Sequence, residues 1–239
     1  MTKLALAVTA AAFALLGAAP AATAAPAAPP ADFEVTPMII GGGYASNAPW
    51  AARLFTNGRE TCSASIIAPT YVLTARHCVS GNTGITFRIG SLDQHSGGVV
   101  ANAVQIYRHT SDLAIARIDR SVSTTYAPLG TTSDVSVGQN VQIYGWGATS
   151  RCGSEINCQS RYLKVATVRV SSTTASDAYG GIAIRATRVD GIAAGGDSGG
   201  PMFANGRQVG VASTSDRVSV TNYTNVTRYR SWIQSIAGV

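Results

Sequence analysis

The feature that most limits how this chain can fold is a rhythm of short β-prone runs, each ended by turn-forming residues. The runs cover residues 51–55, 63–68, 71–73, 86–89, 99–107, 113–118, 141–144, 164–170, 208–212 and 218–222. Strands this short and this closely spaced predict an all-β chain, because a parallel sheet would need a helix-length crossover between most of them. The rhythm alone fits a sandwich as well as a barrel. One stretch has helical period: Val226, Tyr229, Trp232, Ile233 and Ile236 fall on one face from Thr227 onward, so a C-terminal helix is expected, with a packing role. No repeat at a fixed period and no internal linker interrupts the pattern.

Of the 239 residues, 46% are hydrophobic and 13% charged, enough apolar side chain to build one or two sizeable cores and too little charge for a disordered chain. The net charge of +6 is spread along the chain, which favours solubility and gives no basic run for nucleic acid. Lys3 leads into an apolar stretch, residues 4–19, followed by Ala22-Thr23-Ala24, the pattern of a secretory signal peptide cut near Ala24. The stretch is shorter than the roughly 20 residues that span a bilayer and ends at Pro20, against a membrane anchor. The expected organisation is a signal peptide over 1–24, an Ala- and Pro-rich pro-segment over 25–38, and a folded unit over 39–239, secreted and free of the membrane after signal cleavage. Four cysteines in an exported chain allow three disulfide connectivities; Cys62–Cys78 with Cys152–Cys158 is the pairing expected. Intervals of sixteen and six residues match no usual zinc spacing, and no cluster of carboxylates suggests calcium, so neither metal nor cofactor is expected.

Amide hydrolysis needs a nucleophile, a base, a group that fixes the base's tautomer, and donors for an oxyanion. Ser198 lies in Gly195-Gly196-Asp197-Ser198-Gly199-Gly200-Pro201, where glycine permits the backbone to aim the amides of Gly196 and Ser198 at one site. In isolation such a turn is usually only a turn. His77 sits in Thr74-Ala75-Arg76-His77-Cys78, where a bridge from Cys78 would pin the backbone carrying the imidazole; His95 and His109 have no such setting and read as ordinary surface or core residues. Asp112 precedes the apolar run Leu113-Ala114-Ile115-Ala116, so a half-buried carboxylate there needs a hydrogen-bonded partner.

In the order His, Asp, Ser, and in the motifs Thr-Ala-x-His-Cys, Asp-Leu-Ala and Gly-Asp-Ser-Gly-Gly-Pro, the chain resembles the trypsin/chymotrypsin-type serine proteases from Ile39 to Val239, and a bacterial secreted member is expected. Gly145-Trp146-Gly147, Tyr223-Thr224-Asn225-Val226 and Ser231-Trp232-Ile233 match further landmarks of that family. The resemblance implies two six-stranded antiparallel β-barrels, about 39–130 and 131–239, with a C-terminal helix and the active site between the barrels. It also implies a catalytic triad of His77, Asp112 and Ser198, an oxyanion hole of the Gly196 and Ser198 amides, and polypeptide substrates cut by a monomeric enzyme. Ile39-Ile40-Gly41-Gly42 resembles the family's mature amino terminus, whose ammonium group would pair with Asp197 after cleavage between Met38 and Ile39.

The family match places Ile192 at the base of the primary specificity pocket and Ser215 and Thr221 on its walls, with an extended substrate backbone pairing along Ser213–Ser215, which predicts a small or medium apolar residue at P1, on the acyl side of the cut bond. Ala194 stands where the family usually has a pocket cysteine, so the local alignment can slip by two residues, making Asp190 the base; Asp216 at the rim is a second route to a basic P1. Thr214 replaces a Trp usual in the family. The competing reading is a catalytically silent module with this fold, which predicts a missing His, Asp or Ser; all three are present. An α/β-hydrolase would need alternating strands and helices and the order Ser, Asp, His.

Overall fold

The structure, a computed structural model, describes residues 39–239; the expected signal peptide and pro-segment over 1–38 lie outside the described residues. Two short strands come first, β1 (Ile40–Gly41) and β2 (Gly43–Tyr44). Six more, β3 (Ala51–Thr56), β4 (Arg59–Ala68), β5 (Tyr71–Thr74), β6 (Ile85–Ile89), β7 (Val99–Arg108) and β8 (Ala114–Ile118), close into an antiparallel barrel in the order β3-β4-β5-β8-β7-β6. The second half holds β9 (Asn140–Gly145), β10 (Lys164–Ser176), β11 (Ile182–Arg188), β12 (Gly191–Ile192), β13 (Pro201–Ala204), β14 (Arg207–Ser215) and β15 (Val220–Asn225). Its barrel runs β11-β15-β14-β13-β9-β10 and is closed by pairing of β10 with β11. Both barrels follow from period-two patterning: Ile85, Phe87 and Ile89 of β6 point into the first core, and Ala166, Val168 and Val170 of β10 into the second.

The structure departs from the expected elements where side chains carry little apolar signal. β11, with the sequence Ile-Ala-Ile-Arg-Ala-Thr-Arg, and β13, which opens on Pro201, were not among the expected strands. Small Ala and outward Arg hide the first; the second starts on a proline, tolerated because the first strand residue can spare its N–H. The expected strand at 218–222 is displaced to β15, because Asp216 gathers the backbone N–H groups of Val218, Ser219 and Val220 into a turn. Residues 39–44, expected with the first barrel, pack with the second: β2 pairs with β10 at its edge, and β1 pairs with β12 in a separate two-stranded ribbon.

Two helices complete the fold, the four-residue α1 (Arg76–Val79), which no sequence pattern announced, and α2 (Arg230–Ala237). The expected apolar face of α2 is present: Ile233 is buried, and Tyr229, Trp232 and Ile236 pack with it against the core of the first barrel. The C-terminal helix therefore leaves the second barrel and closes on the first, tying the halves together. Among the described residues no helix is long and apolar enough to cross a membrane.

Candidate active site

The site is assembled between the barrels from α1, the segment before β8, and the turn between β12 and β13. Cys78 on α1 is bonded to Cys62 on β4 at 2.04 Å, which fixes the short helix to the barrel wall and gives the half-buried His77 a set position. His77 Nδ1 lies 2.7 Å from Asp112 Oδ2, and the His77 backbone N–H donates to Asp112 Oδ1 at 2.9 Å. Asp112 is fully buried and also accepts from the Ser213 hydroxyl at 2.7 Å. Burial pulls its carboxyl upward, but the His77 hydrogen bond and charge, with the Ser213 hydroxyl and the His77 N–H, outweigh this and hold it below the ordinary carboxylate range. An ionised Asp112 accepts a proton-bearing Nδ1, so Nε2 is left free to act as a base.

Sequence reasoning did not find Asp177. Its Oδ2 accepts from the Asp112 backbone N–H at 2.9 Å and lies 3.0 Å from the Thr224 hydroxyl, while its Oδ1 accepts from the amides of Tyr179 and Gly181. This buried carboxylate holds the backbone that carries Asp112. Its only sequence signal was an Asp before a Gly-Gly turn, which reads as turn chemistry.

Ser198 is half-buried and lines, with His77, one cavity of about 410 Å³. Its carbonyl accepts from Ser63 N–H at 2.8 Å across the barrel boundary. Gly196 has a φ of +97°, and a Cβ there would strike the Gln159 amide, so this position demands glycine. The Gly195 carbonyl accepts from Ala148 N–H at 2.7 Å, and the Gly195 N–H donates to Glu155 Oε2 at 2.7 Å. The amides of Gly196 and Ser198 donate to no protein acceptor among the described residues.

Asp197 is turned away from the cavity. It accepts from Gly147 N–H at 2.7 Å and Ala194 N–H at 2.9 Å, in a slot that a Cβ at Gly147 would fill. Burial raises its carboxyl to about 6; the two N–H groups and the charge of Arg53 pull it back, and Glu155 adds to the rise. Ile39 is buried in the core of the second barrel, and its strand neighbour Ile40 pairs with Ile192.

The cavity walls include Ser213, Ser215 and Thr221, with Ala193, Ala194, Ala212, Thr214 and Arg217. Ile192, expected at the base, is not among the lining residues. It packs into the second core, because its register with Ile40 turns the side chain inward, and Ala193 and Ala194 face the cavity instead. Neither alternative acid reaches it. Asp190 is exposed and accepts from Thr167 N–H at 2.7 Å; Asp216 is exposed and spends its carboxylate on its own turn, where burial pulls its pKa upward but the turn's N–H groups outweigh this and hold it well below the ordinary carboxylate range. Arg217, which sequence reasoning passed over, pairs with Glu155 at 2.9 Å. Glu155 sits inside the loop closed by Cys152–Cys158, so that disulfide positions the carboxylate that holds Gly195.

Of the other histidines, His95 is exposed near Glu60, and His109 bonds Ser111 and packs on Tyr229 and Trp232. One group among the described residues, Cys62, His77 and Cys78, brings metal-type ligand atoms together. Its sulfurs are joined to each other and its imidazole is bonded to Asp112, so it offers no thiolate pair.

A family model described as Trypsin matches residues 39–233. Trypsin alpha of Drosophila melanogaster is 32% identical over 224 residues, 83% of this chain and 87% of that protein. Trypsin alpha-4 of Lucilia cuprina is 32% identical over 215 residues, 80% of this chain and 84% of that protein. These relatives are insect proteins and lend no support to the bacterial origin expected from the sequence. Among solved structures, human heparin binding protein superposes with a TM-score of 0.72 at 22% identity, covering 83% of this chain and 96% of that one. A scabies mite inactivated protease paralogue gives 0.74 at 23% identity, covering 83% and 97%. At these identities the two structures speak for the fold alone. With the family model spanning nearly all the described residues and curated relatives at this identity, the chain belongs to the trypsin family of serine endopeptidases.

Proposed function

We propose that the enzyme hydrolyses peptide bonds in polypeptides through an acyl-enzyme on Ser198. His77 Nε2 takes the Ser198 hydroxyl proton as Oγ attacks the scissile carbonyl, then gives it to the leaving amine; the same base next activates water to release the acid product. Asp112 holds the imidazole in the tautomer with a proton on Nδ1 and stabilises the imidazolium that forms. The amides of Gly196 and Ser198, which have no acceptor among the described residues, are the donors for the oxyanion. The observation that carries this reading is the 2.7 Å contact between His77 and the buried Asp112 beside the cavity that His77 shares with Ser198.

The substrate side chain at P1 is small or medium and uncharged. Alanines with Ser213, Ser215 and Thr221 line the cavity, no carboxylate is among its lining residues, and the Glu155 carboxylate nearby is already paired with Arg217, which leaves no acid free for a Lys or Arg. We further read the chain as a secreted precursor cut between Met38 and Ile39, with the new ammonium group drawn to Asp197.

A serine-directed fluorophosphonate with peptide mapping, followed by a P1-varied peptide library, tests the proposal. A label on Ser198 and faster cutting after Ala or Val than after Arg are expected. An unlabelled Ser198 in correctly processed protein overturns the peptidase reading. Preference for Arg overturns the pocket assignment alone, and an active enzyme that begins anywhere but Ile39 overturns the activation step.

A further inference from the structure

Beneath the oxyanion turn lies a charge that this chemistry leaves unused. Arg53 stands on β3 of the first barrel and is fully buried, yet it forms no ion pair with any carboxylate among the described residues. Leaving a cation buried without a counter-ion is costly, so the guanidinium calls for a reason. Its Nη1 donates to the Gly196 carbonyl at 3.0 Å, its Nη2 donates to Gln159 Oε1, and its Nε finds no acceptor among the described residues. The Gly196 carbonyl accepts a second bond from the Ser63 hydroxyl at 2.9 Å. Both donors come from the first barrel and fix the peptide that joins Gly196 to Asp197 in the second.

With the Gly195 carbonyl held by Ala148 and the Gly195 N–H by Glu155, the turn is clamped on both sides by bonds that need no amino terminus. The charge matters as well as the bonds. Burial lowers the Arg53 pKa to about 10, still protonated at neutral pH, and Asp197 and Glu60 are the acids that act on it. Asp197 faces Arg53 from β3, Glu155 from the disulfide loop, Lys164 from β10 and Tyr223 from β15. Lys164 is held down to about 8 by burial, so Arg53 is the cation of this set that stays charged throughout the neutral range.

We propose that Arg53 is a positioning residue that keeps the Gly195–Ser198 turn formed in the uncut chain, so that Ser198 reacts before Ile39 becomes an amino terminus. Cleavage then raises an existing reactivity instead of creating it. The inference rests on the serine chemistry proposed above.

The test uses full-length chain, shown by intact mass to be uncut at 38–39, beside the cut form, with a fluorophosphonate as probe. Ser198 Oγ forms the bond to phosphorus, fluoride leaves, and the hydroxyl proton passes to His77. The uncut wild type is expected to label at Ser198. Arg53→Met in the uncut chain is expected to lose roughly 100-fold in labelling rate, the scale of a lost oxyanion donor. Arg53→Lys, which keeps a cation but not the two-armed fork, is expected to recover only part of the lost rate. Because the Arg53 charge pulls the Asp197 carboxyl down, Arg53→Met is expected to move the acid limb of labelling upward and Arg53→Lys to move it less, a response that lost packing alone would not give.

Should Arg53→Met fail to fold, as judged by thermal melting, Gln159→Leu carries the test: it removes the acceptor of Nη2 alone and is expected to slow labelling of the uncut chain several-fold. An unchanged rate and acid limb in the folded variant overturn the inference. So does a cut form that labels beside an uncut form that does not, and that result leaves the serine chemistry standing. If neither form labels, the serine chemistry itself fails and the inference falls with it.

Discussion

At the scale of single residues, the site works by placing charges where burial would otherwise neutralise them. Asp112 keeps its charge because three donors meet it in a dry setting. Replacing it with Asn leaves the shape and loses the tautomer control, so Asp112→Asn is expected to lower kcat by about 10⁴-fold, the magnitude of the standard serine-protease triad, with KM little changed. Steady-state kinetics on a good peptide substrate checks this; a loss of less than tenfold would mean that Asp112 does not orient the base. Asp197 shows the opposite balance, with its folded pKa raised to about 6 from an unfolded value near 4. The folded state then binds that proton more tightly than the unfolded one, so the stability this group contributes is present below about 4 and lost as pH rises through about 6. Calorimetry of the uncut chain between pH 4 and 7 should show stability falling with pH from this source. Asp197→Asn should flatten that slope, and an identical slope in both proteins would contradict the assignment. Asp112 does not mask the effect, since its depressed pKa releases stability only as pH falls below the ordinary carboxylate range.

At the scale of elements, the two disulfides do different jobs. Cys62–Cys78 joins β4 to α1 and carries the His77 backbone, whereas Cys152–Cys158 closes the loop that holds Glu155 against Gly195 and Arg217. Chain entropy alone gives the sixteen-residue separation about 3 kcal/mol and the six-residue one about 2 kcal/mol. Cys62→Ala with Cys78→Ala is therefore expected to cost the larger share of stability and to lower kcat by misplacing His77. Cys152→Ser with Cys158→Ser is expected to leave most of the stability and to lower kcat by freeing the turn. Denaturant melts paired with kcat separate the two; equal kcat in the second variant and the wild type would show that the loop does not support the turn. The element least announced by the sequence is α1, too short for any period to appear, and its place is set by the disulfide and by Asp112 accepting the His77 N–H.

At the scale of the whole molecule, the halves meet through polar contacts as well as packing. Ser65 on β4 donates to Gln208 on β14 at 2.7 Å, both side chains fully buried, and Ser63 N–H reaches the Ser198 carbonyl. Gln208→Ala would strand the Ser65 hydroxyl, with an expected stability loss of about 1–3 kcal/mol and a drop in kcat, because the barrels set the distance between His77 and Ser198. Urea melts and kinetics check this, and unchanged values in both would show that the pair does not join the halves. The sequence by itself determined the all-β class and the three motifs now gathered at one cleft, since strand length and short motifs are local properties, while the expected disulfide pairing, one of three connectivities the sequence allows, is the one the structure contains. Tertiary structure alone decided the rest. Ile192 faces the core and not the cavity because pairing with Ile40 sets its side, and β1 and β2 pair with β12 and β10, partners more than a hundred residues away. Asp177, Arg53, Glu155 and Arg217 acquire their roles only from groups distant along the chain, and an electrostatic environment made by folding leaves no pattern in the order of the residues that share it.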